Sequence, residues 1–571
     1  MGSNLVYGNS INAILFHLKS SADFRRLQDL PGVECDEQTL IQIAQAAASV
    51  AEGILSPFNR QVEAQAPKLM DGKVHLAQIH HDAWRAFVEG GWTTLEAPRE
   101  FGGAGLPQVV HAACEELFNR ASPAFGMLPT PMRCAVRVLD QYGSGAIKAK
   151  WLPPLIDGSC GATICISEAE AGSDVSRLRT RAVQESDGSW KLTGEKMWIS
   201  FGSHDLTGQI AHIVLARIPG APAGSQGLSL FLVPGTIQGS ANAIVVRRIE
   251  EKLGLHGSPT CQLGFEGARG WLIGEEGRGL SQLFAMITGM RLSVGSQGAG
   301  IAGAAADLAW RYAEERRQGG QAGAPPVPIN HHGDVQRMLL TSAARAEMAR
   351  GLVLAASLAA DLQERETDAL AREEAAALLA WLLPITKNFC AEAAFTCANE
   401  AIQVLGGAGY TREWPAEQYL RDARVLSIYE GTSGMQALDL TLRRTLGGEG
   451  RSINAFLRKA AAELASSTDD ASRQQFASLL DMLETGAGLL DRGNAASISY
   501  PFLQLASLAT TGWIALRLTT AADGPGGERL KALGRHWLRM AAPLAQAELS
   551  QIAMGNDLIK EFAQIREAEP A

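Results

Sequence analysis

One glutamate stands out for its surroundings. Glu430 lies in the run Ile428-Tyr-Glu-Gly-Thr-Ser433. Between two bulky side chains and a Gly-Thr turn, a carboxylate is partly withdrawn from water. Desolvation raises a carboxyl pKa and makes the anion a stronger base. A lone glutamate before glycine is more often a solvated residue at a helix end, so the argument needs the neighbouring motifs.

Those motifs are Gln403-Val-Leu-Gly-Gly-Ala-Gly-Tyr410 and Arg421-Asp-Ala423 upstream of Glu430, with Ser167-Glu-Ala-Glu-Ala-Gly-Ser-Asp174, Gly194-Glu-Lys-Met-Trp-Ile-Ser200 and Pro98-Arg-Glu-Phe-Gly-Gly-Ala-Gly-Leu106 further back. In this order they resemble the signature blocks of the acyl-CoA dehydrogenases, across about residues 80–445. The stretch beyond is similar to the C-terminal helical extension of a larger subclass, which includes 3-(methylthio)propionyl-CoA and bacterial fatty-acyl-CoA dehydrogenases. The resemblance implies FAD-dependent oxidation of an acyl-CoA thioester to the trans-2-enoyl thioester. Electron-transferring flavoprotein is then the expected acceptor and a homodimer the expected assembly.

Roles follow residue by residue from that resemblance. Glu430 matches the base that removes the α-proton while the β-hydrogen leaves as hydride to flavin N5. Some members carry the base elsewhere, at a position matched here by Met290, which cannot take a proton. Ile164, Ile166, Ser167 and Ser173 match positions that cradle the flavin and its pyrophosphate, with Ser173 also near substrate. Trp198, Ile199 and Ser200 match the segment beside the isoalloxazine. Trp198 offers a flat wall there and Ser200 a hydroxyl near N5. Arg316 matches an arginine on the diphosphate of FAD held mainly by the other protomer. Gln403 and Gly407 match adenosine-side contacts, and Thr432 a phosphate contact. Arg291 and Gly431 match substrate contacts. The chain departs from the family pattern at Ala169, Thr288, Gly319 and Gly434.

Other signals carry less. Gly298-x-Gly300-x-x-Gly303 spells a dinucleotide fingerprint without a preceding strand, and reads as close helix packing. The pairs His80-His81 and His331-His332 lack metal-ligand spacing, so no metal is expected. Lys531, Arg535 and Arg539 read as a solvated helix stripe.

The elements that must position these residues are mostly helical. Apolar periodicity predicts helices over 39–54, 79–89 and 109–118. Short β-type runs follow at 162–167, 190–192, 210–218, 228–233 and 244–248. Ala/Leu-rich helical segments return from 280 to about 444, broken by a loop-like insert at 319–328. After a Gly-rich linker at 447–450, helices are predicted at 454–465, 476–483, 502–518 and 530–545. The expected fold is mainly α with an antiparallel β-barrel-like domain. Its parts are an N-terminal helical domain (1–158), a middle β-domain (159–279), a helical bundle (280–446) and an appended helical domain (451–571). FAD is expected between the β-domain and the bundle.

Composition bounds the alternatives. A chain of 571 residues with 46% hydrophobic and 19% charged content can bury several cores. Net charge of −9 disfavours a general grip on nucleic acid or an anionic membrane. The tail, residues 451–571, carries 12 Lys/Arg against 13 Asp/Glu. Eight scattered cysteines without a CxxC pair read as reduced thiols. No secretory signal or membrane span is expected, and the bacterial cytoplasm or a mitochondrial matrix fits. Two rivals share the scaffold, an acyl-CoA oxidase and a DNA-associated adaptive-response protein, and a third is a catalytically silent scaffold. Methylthiopropionyl, medium straight-chain and long-chain thioesters all fit.

Overall fold

The computed structural model describes residues 3–522 and 524–568; Met1, Gly2, Asp523 and residues 569–571, which the expected domain ranges include, lie outside the described residues. The chain divides into two compact units. One comprises Ala46–Pro107 and Ala121–Ser293, the other Met1–Gln45, Gln108–Arg120 and Val294–Ala571.

The first of these is built on a sheet of seven strands: β1 (Cys160–Cys165), β2 (Arg181–Gln184), β3 (Trp190–Ser200), β4 (Gln209–Arg217), β5 (Leu228–Pro234), β6 (Ile244–Ile249) and β7 (Thr260–Ile273). Spatial order is β6-β7-β3-β2-β4-β1, and β5 pairs with both β7 and β4. The ring β7-β3-β2-β4-β5 therefore closes, as the barrel-like expectation requires. Pairing is antiparallel except along β4, where β1 runs parallel over six residue pairs and β2 meets it in parallel at Arg181↔Arg217. Strand β5 is buried at every position and β4 through most of its length, which is why both read as largely apolar rather than alternating, His212 and Ser229 being the buried polar exceptions. Strand β3 does alternate: Trp190 and Leu192 point inward, Lys191 and Thr193 outward. Continued with period two, that pattern puts Lys196 inside the barrel.

The longest strand, β7, has no counterpart among the expected β-runs, and neither does β2. The sequence of β7 is interrupted by Gly264, Gly267 and Gly270, which ordinarily mark turns. At Gly267 φ is +86°, beside a register shift against β3 between Glu266 and Ala268. The glycine absorbs a β-bulge and the strand continues.

The second unit is helical. Its long elements are Gly333–Arg365, Ala369–Leu405, Ala495–Thr520, Gly527–Ala553 and, from Val294 onward, the C-terminal part of Gly279–Glu315. The helices expected at 454–465, 476–483, 502–518 and 530–545 are present, each longer at both ends. Trp381 stacks on Phe456 with ring centroids 5.5 Å apart, and Trp537 meets Phe389 edge-on at 5.7 Å. Residues beyond 450 thus share apolar core with the helix Ala369–Leu405. Asp361 closes the start of the helix Gln108–Ala121, accepting from the Gln108 and Val109 amides at 2.7 and 2.9 Å, the usual role of an acid at a helix N-terminus. On that same helix, Glu116 is buried and accepts from Arg350 Nε at 2.8 Å.

The Gly298–Gly303 run lies mid-helix, as close packing requires. A Cβ on Gly298 would stand 2.3 Å from the Cys390 carbonyl oxygen, and one on Gly300 2.7 Å from the Glu116 carbonyl oxygen. All eight cysteines are free and buried. Among the described residues no helix is long and apolar enough to cross a membrane. Because backbone cannot retreat as a side chain can, Gly298→Ala is expected to destabilise the protein by about 1–3 kcal/mol, read as a lower urea midpoint at unchanged slope.

Candidate active site

In the β-containing unit, the loop leaving β1 carries Ile166 and Ser167, and it is stitched to β3. The Ser167 carbonyl accepts from the Met197 amide at 2.9 Å, and the Ile166 carbonyl from Lys196 Nζ at 2.9 Å. Lys196 is fully buried, as its inward place on β3 demands. Its ammonium also reaches Glu168 Oε1 at 2.8 Å and the Leu215 carbonyl at 2.8 Å. Three protons meet three oxygens. Burial pulls the Lys196 pKa below the ordinary lysine value, with Glu168 opposing it.

Glu168 does a second job. It accepts from the Arg179 and Thr180 amides at 2.6 and 3.1 Å and from Thr180 Oγ1 at 2.6 Å, closing the segment between them into a loop. Burial pushes its pKa up, but Lys196 and these donors outweigh that and leave it below the usual glutamate value. Ser173 and Gly172 sit exposed within the closed loop, and a Cβ on Gly172 would meet nothing within 4 Å.

Trp198 owes its position to a bulge. Between the pairs Cys261↔Ile199 and Leu263↔Lys196 the register shifts, so Met197 and Trp198 stand opposite the single residue Gln262. Trp198 takes φ +63° and is 57% exposed, while Ile199 turns inward and is buried. A bulge that re-aims one side chain is a common device beside ligand sites. Ser200 and Ile164 are half-buried. Ile164, Ile166, Ser167, Trp198, Ile199 and Ser200 therefore lie on two segments tied together by hydrogen bonds. Arg291 is buried on the helix Gly279–Glu315, one residue after the buried Met290.

In the helical unit, Glu430 and Gly431 adopt φ +53° and +87°. Left-handed backbone at a glutamate costs about 1–3 kcal/mol and survives only where neighbours enforce it. Here Lys387 Nζ donates to the Gly431 carbonyl at 2.8 Å, and Gln436 Nε2 lies 3.2 Å from the carbonyls of both Glu430 and Gly431. Lys387 and Gln436 are both fully buried. Thr432 caps the short helix Ser433–Leu438, its hydroxyl accepting from the Met435 amide at 3.3 Å, and Ser433 Oγ donates to Glu392 at 3.0 Å. Glu430 itself is half-buried. Tyr429 donates to Gln297 Oε1; burial raises its pKa well above the usual tyrosine value, with Glu430 and Glu115 adding to the shift. Glu430, Gly431 and Thr432 form one loop. Arg316, Gln403 and Gly407 are all exposed elsewhere in this unit.

Sequence reasoning passed over Lys196, Glu168, Lys387 and Gln436 as positioning groups. For Lys196 a signal existed, since it falls on the inward phase of an alternating strand. Lys387 stands between the buried residues Thr386 and Asn388 in an otherwise apolar stretch of a helix, where a charge is expected to find a buried partner.

Three family profiles match the chain in order: the acyl-CoA dehydrogenase N-terminal domain over residues 41–159, the middle domain over 163–268 and the C-terminal domain over 277–444. The chain belongs to the acyl-CoA dehydrogenase family. It is 37% identical to the 3-methylmercaptopropionyl-CoA dehydrogenase of Ruegeria pomeroyi, over 89% of this chain and 90% of that one. It is 35% identical to the broad-specificity linear acyl-CoA dehydrogenase FadE5 of Mycobacterium tuberculosis, over 67% of this chain and 66% of the other. Among solved structures, Caenorhabditis elegans ACDH-11 in complex with C11-CoA shares the fold, with a TM-score of 0.79 at 21% identity, covering 93% of this chain and 92% of that one.

Membership makes the protein an FAD-dependent oxidoreductase of acyl-CoA thioesters, and its own residues fit that cofactor. An exposed indole near the end of β3 is a flat surface of the kind a fused ring system needs. The exposed Gly172 and Ser173 leave backbone and hydroxyl open to a phosphate.

Replacing Lys196 by methionine strands Glu168 in the interior. Removing one partner of a buried pair costs about 3–5 kcal/mol, so Lys196→Met is expected to melt well below wild type and to retain less FAD, by absorbance per protein after gel filtration. Glu168→Gln in the same chain should restore part of the loss. Since the folded pKa of Glu168 is depressed, its contribution is present above the unfolded glutamate pKa and is lost as pH falls through the folded value.

Proposed function

We propose that Glu430 is the catalytic base that takes the α-proton of the bound acyl-CoA. Its support is the geometry of one loop: a half-buried carboxylate held in left-handed backbone by two buried donors. A base needs a fixed reach to its proton and incomplete hydration, and the loop supplies both. Met290, on the helix that carries the base in other members, is buried and has no titratable group.

Other residues of the chain bind and orient. Trp198 forms a wall for the ring system, and Ser200 offers a hydroxyl beside it. Ser167 and Ser173 serve the pyrophosphate side, Ser173 also facing substrate. The Glu430 N–H polarises the thioester carbonyl, so that enolate-like charge is stabilised as the proton leaves. Gly431, lacking a side chain, allows the thioester to approach this backbone, and Arg291 serves the CoA moiety. When bound, FAD supplies the acceptor for the β-hydrogen, removed as hydride. The exposed positions of Arg316, Gln403 and Gly407 suit contacts to a cofactor held mainly by a second protomer, and a homodimer is the proposed assembly. Electron-transferring flavoprotein is the proposed acceptor. The name of the Ruegeria relative makes a short thioether acyl-CoA the first substrate to try, with linear acyl-CoAs beside it.

Glu430→Gln keeps the size and hydrogen bonding of the side chain but cannot take a proton. The variant is expected to bind FAD and thioester normally, while bleaching of the flavin by substrate slows about 10²–10⁴-fold. Stopped-flow absorbance with a panel of acyl-CoAs measures this. Wild-type bleaching by the variant would remove Glu430 from the role of base.

A further inference from the structure

The helix Ala369–Leu405 buries Lys387 completely, although nothing in an apolar helix interior calls for a lysine. An ammonium taken out of water carries a large desolvation cost, which makes sense only if its hydrogen bonds serve something. Its Nζ points at the Gly431 carbonyl, 2.8 Å away, one residue past Glu430. Gln436, from the following helix Ser433–Leu438, approaches that carbonyl and the carbonyl of Glu430, each at 3.2 Å. The carbonyl of Gly431 is thus held from two sides by groups on two different helices, and that of Glu430 from one. Both residues have positive φ. Relaxing Glu430 to ordinary backbone would swing these carbonyls off their donors and leave a buried cation and a buried amide with lost partners.

We propose that Lys387 and Gln436 form a positioning clamp for the catalytic carboxylate, holding Glu430 in its left-handed conformation so that its side chain reaches the substrate α-carbon. The clamp rests on the reading of Glu430 as base. Neither residue touches the reacting atoms; each acts through the backbone of the loop. Geometry of this kind is catalytically expensive to lose, since a displacement of about 1 Å at a reacting group costs on the order of a hundredfold. Binding of the thioester, by contrast, draws on contacts spread along the whole ligand.

The test compares Lys387→Met and Gln436→Met in the full-length holoenzyme, with turnover expressed per bound flavin so that misfolded protein does not count. Each variant leaves the other donor on the Gly431 carbonyl. The expected result is a fall in kcat of about tenfold to a hundredfold, with KM for acyl-CoA within about twofold of wild type and an increased kinetic isotope effect with α-deuterated substrate. A merely structural role lowers the yield of holoenzyme and its melting temperature but leaves kcat per flavin and the isotope effect where they were; that outcome overturns the clamp. Should Lys387→Met yield no holoenzyme, Gln436→Met is judged by the same two readouts. The base assignment fails separately. Full activity of Glu430→Gln removes the base, whereas an inactive Glu430→Gln beside fully active Lys387→Met and Gln436→Met removes only the clamp.

Discussion

A lysine ammonium in a protein interior must find oxygen for its protons or give up its charge. Among the described residues two lysines are fully buried, Lys196 and Lys387, and both answer this demand with main-chain carbonyls. Lys196 ties the Ile166 carbonyl, at the exit of β1, to the Leu215 carbonyl on β4 and to Glu168. Lys387 ties its helix to the Gly431 carbonyl. A carbonyl held this way cannot move without exposing a charge to an apolar surround. Each lysine therefore converts a large electrostatic cost into a fixed place for a loop. The loops so fixed are the ones that carry Ser167 and Ser173 in one unit and Glu430 in the other.

The helical unit shows the same economy with arginine. Arg350 is buried between Glu116 and Glu347, and Glu347 in turn meets His17 at 3.3 Å. Three stretches far apart in sequence are joined by that network: the N-terminal helix, the helix Gln108–Ala121 and the helix Gly333–Arg365. Burial drives the Arg350 pKa down, yet Glu116 and Glu347 together raise it well above its ordinary value, so the guanidinium stays charged. Such networks gain little over well-packed apolar groups in net stability, but they tolerate few alternative arrangements.

How much of this was legible in the sequence depends on how local the cause was. Helices such as Gln108–Ala121 and strands such as β4 and β5 follow from periodicity and largely apolar runs. Ordered motifs around Glu430, Trp198 and Ser167 gave the reaction through their resemblance to one family, which the match of three family domains bears out. Strand β7 was not legible, since three glycines that read as turns are accommodated by pairing with strands far away in sequence. The exposure of Trp198 was equally hidden: it arises from one extra residue on β3 relative to β7, and pairing register is invisible until both strands are in place. Lys387 and Gln436 escaped for the same reason. They lie 43 and 6 residues from Glu430 in opposite directions, and nothing local announces that they converge.

The backbone strain at Glu430 then has a physical account. Glycine would adopt φ +53° without penalty, and a glutamate there is less stable by about 1–3 kcal/mol. A fold selected for stability alone would place the acid one residue away and leave a glycine in its stead. On the proposed assignment of Glu430 as base, the strained arrangement places the side chain and the adjacent amide on one rigid corner, so that the proposed proton acceptor and carbonyl donor keep a constant relation to each other. Two groups that must act on neighbouring atoms of one substrate gain more from that fixed relation than either does from a relaxed backbone. The strain is then offset by hydrogen bonds to Lys387 and Gln436, which exist only while the corner is folded. Stability and the proposed reactivity are thus coupled through two carbonyl oxygens.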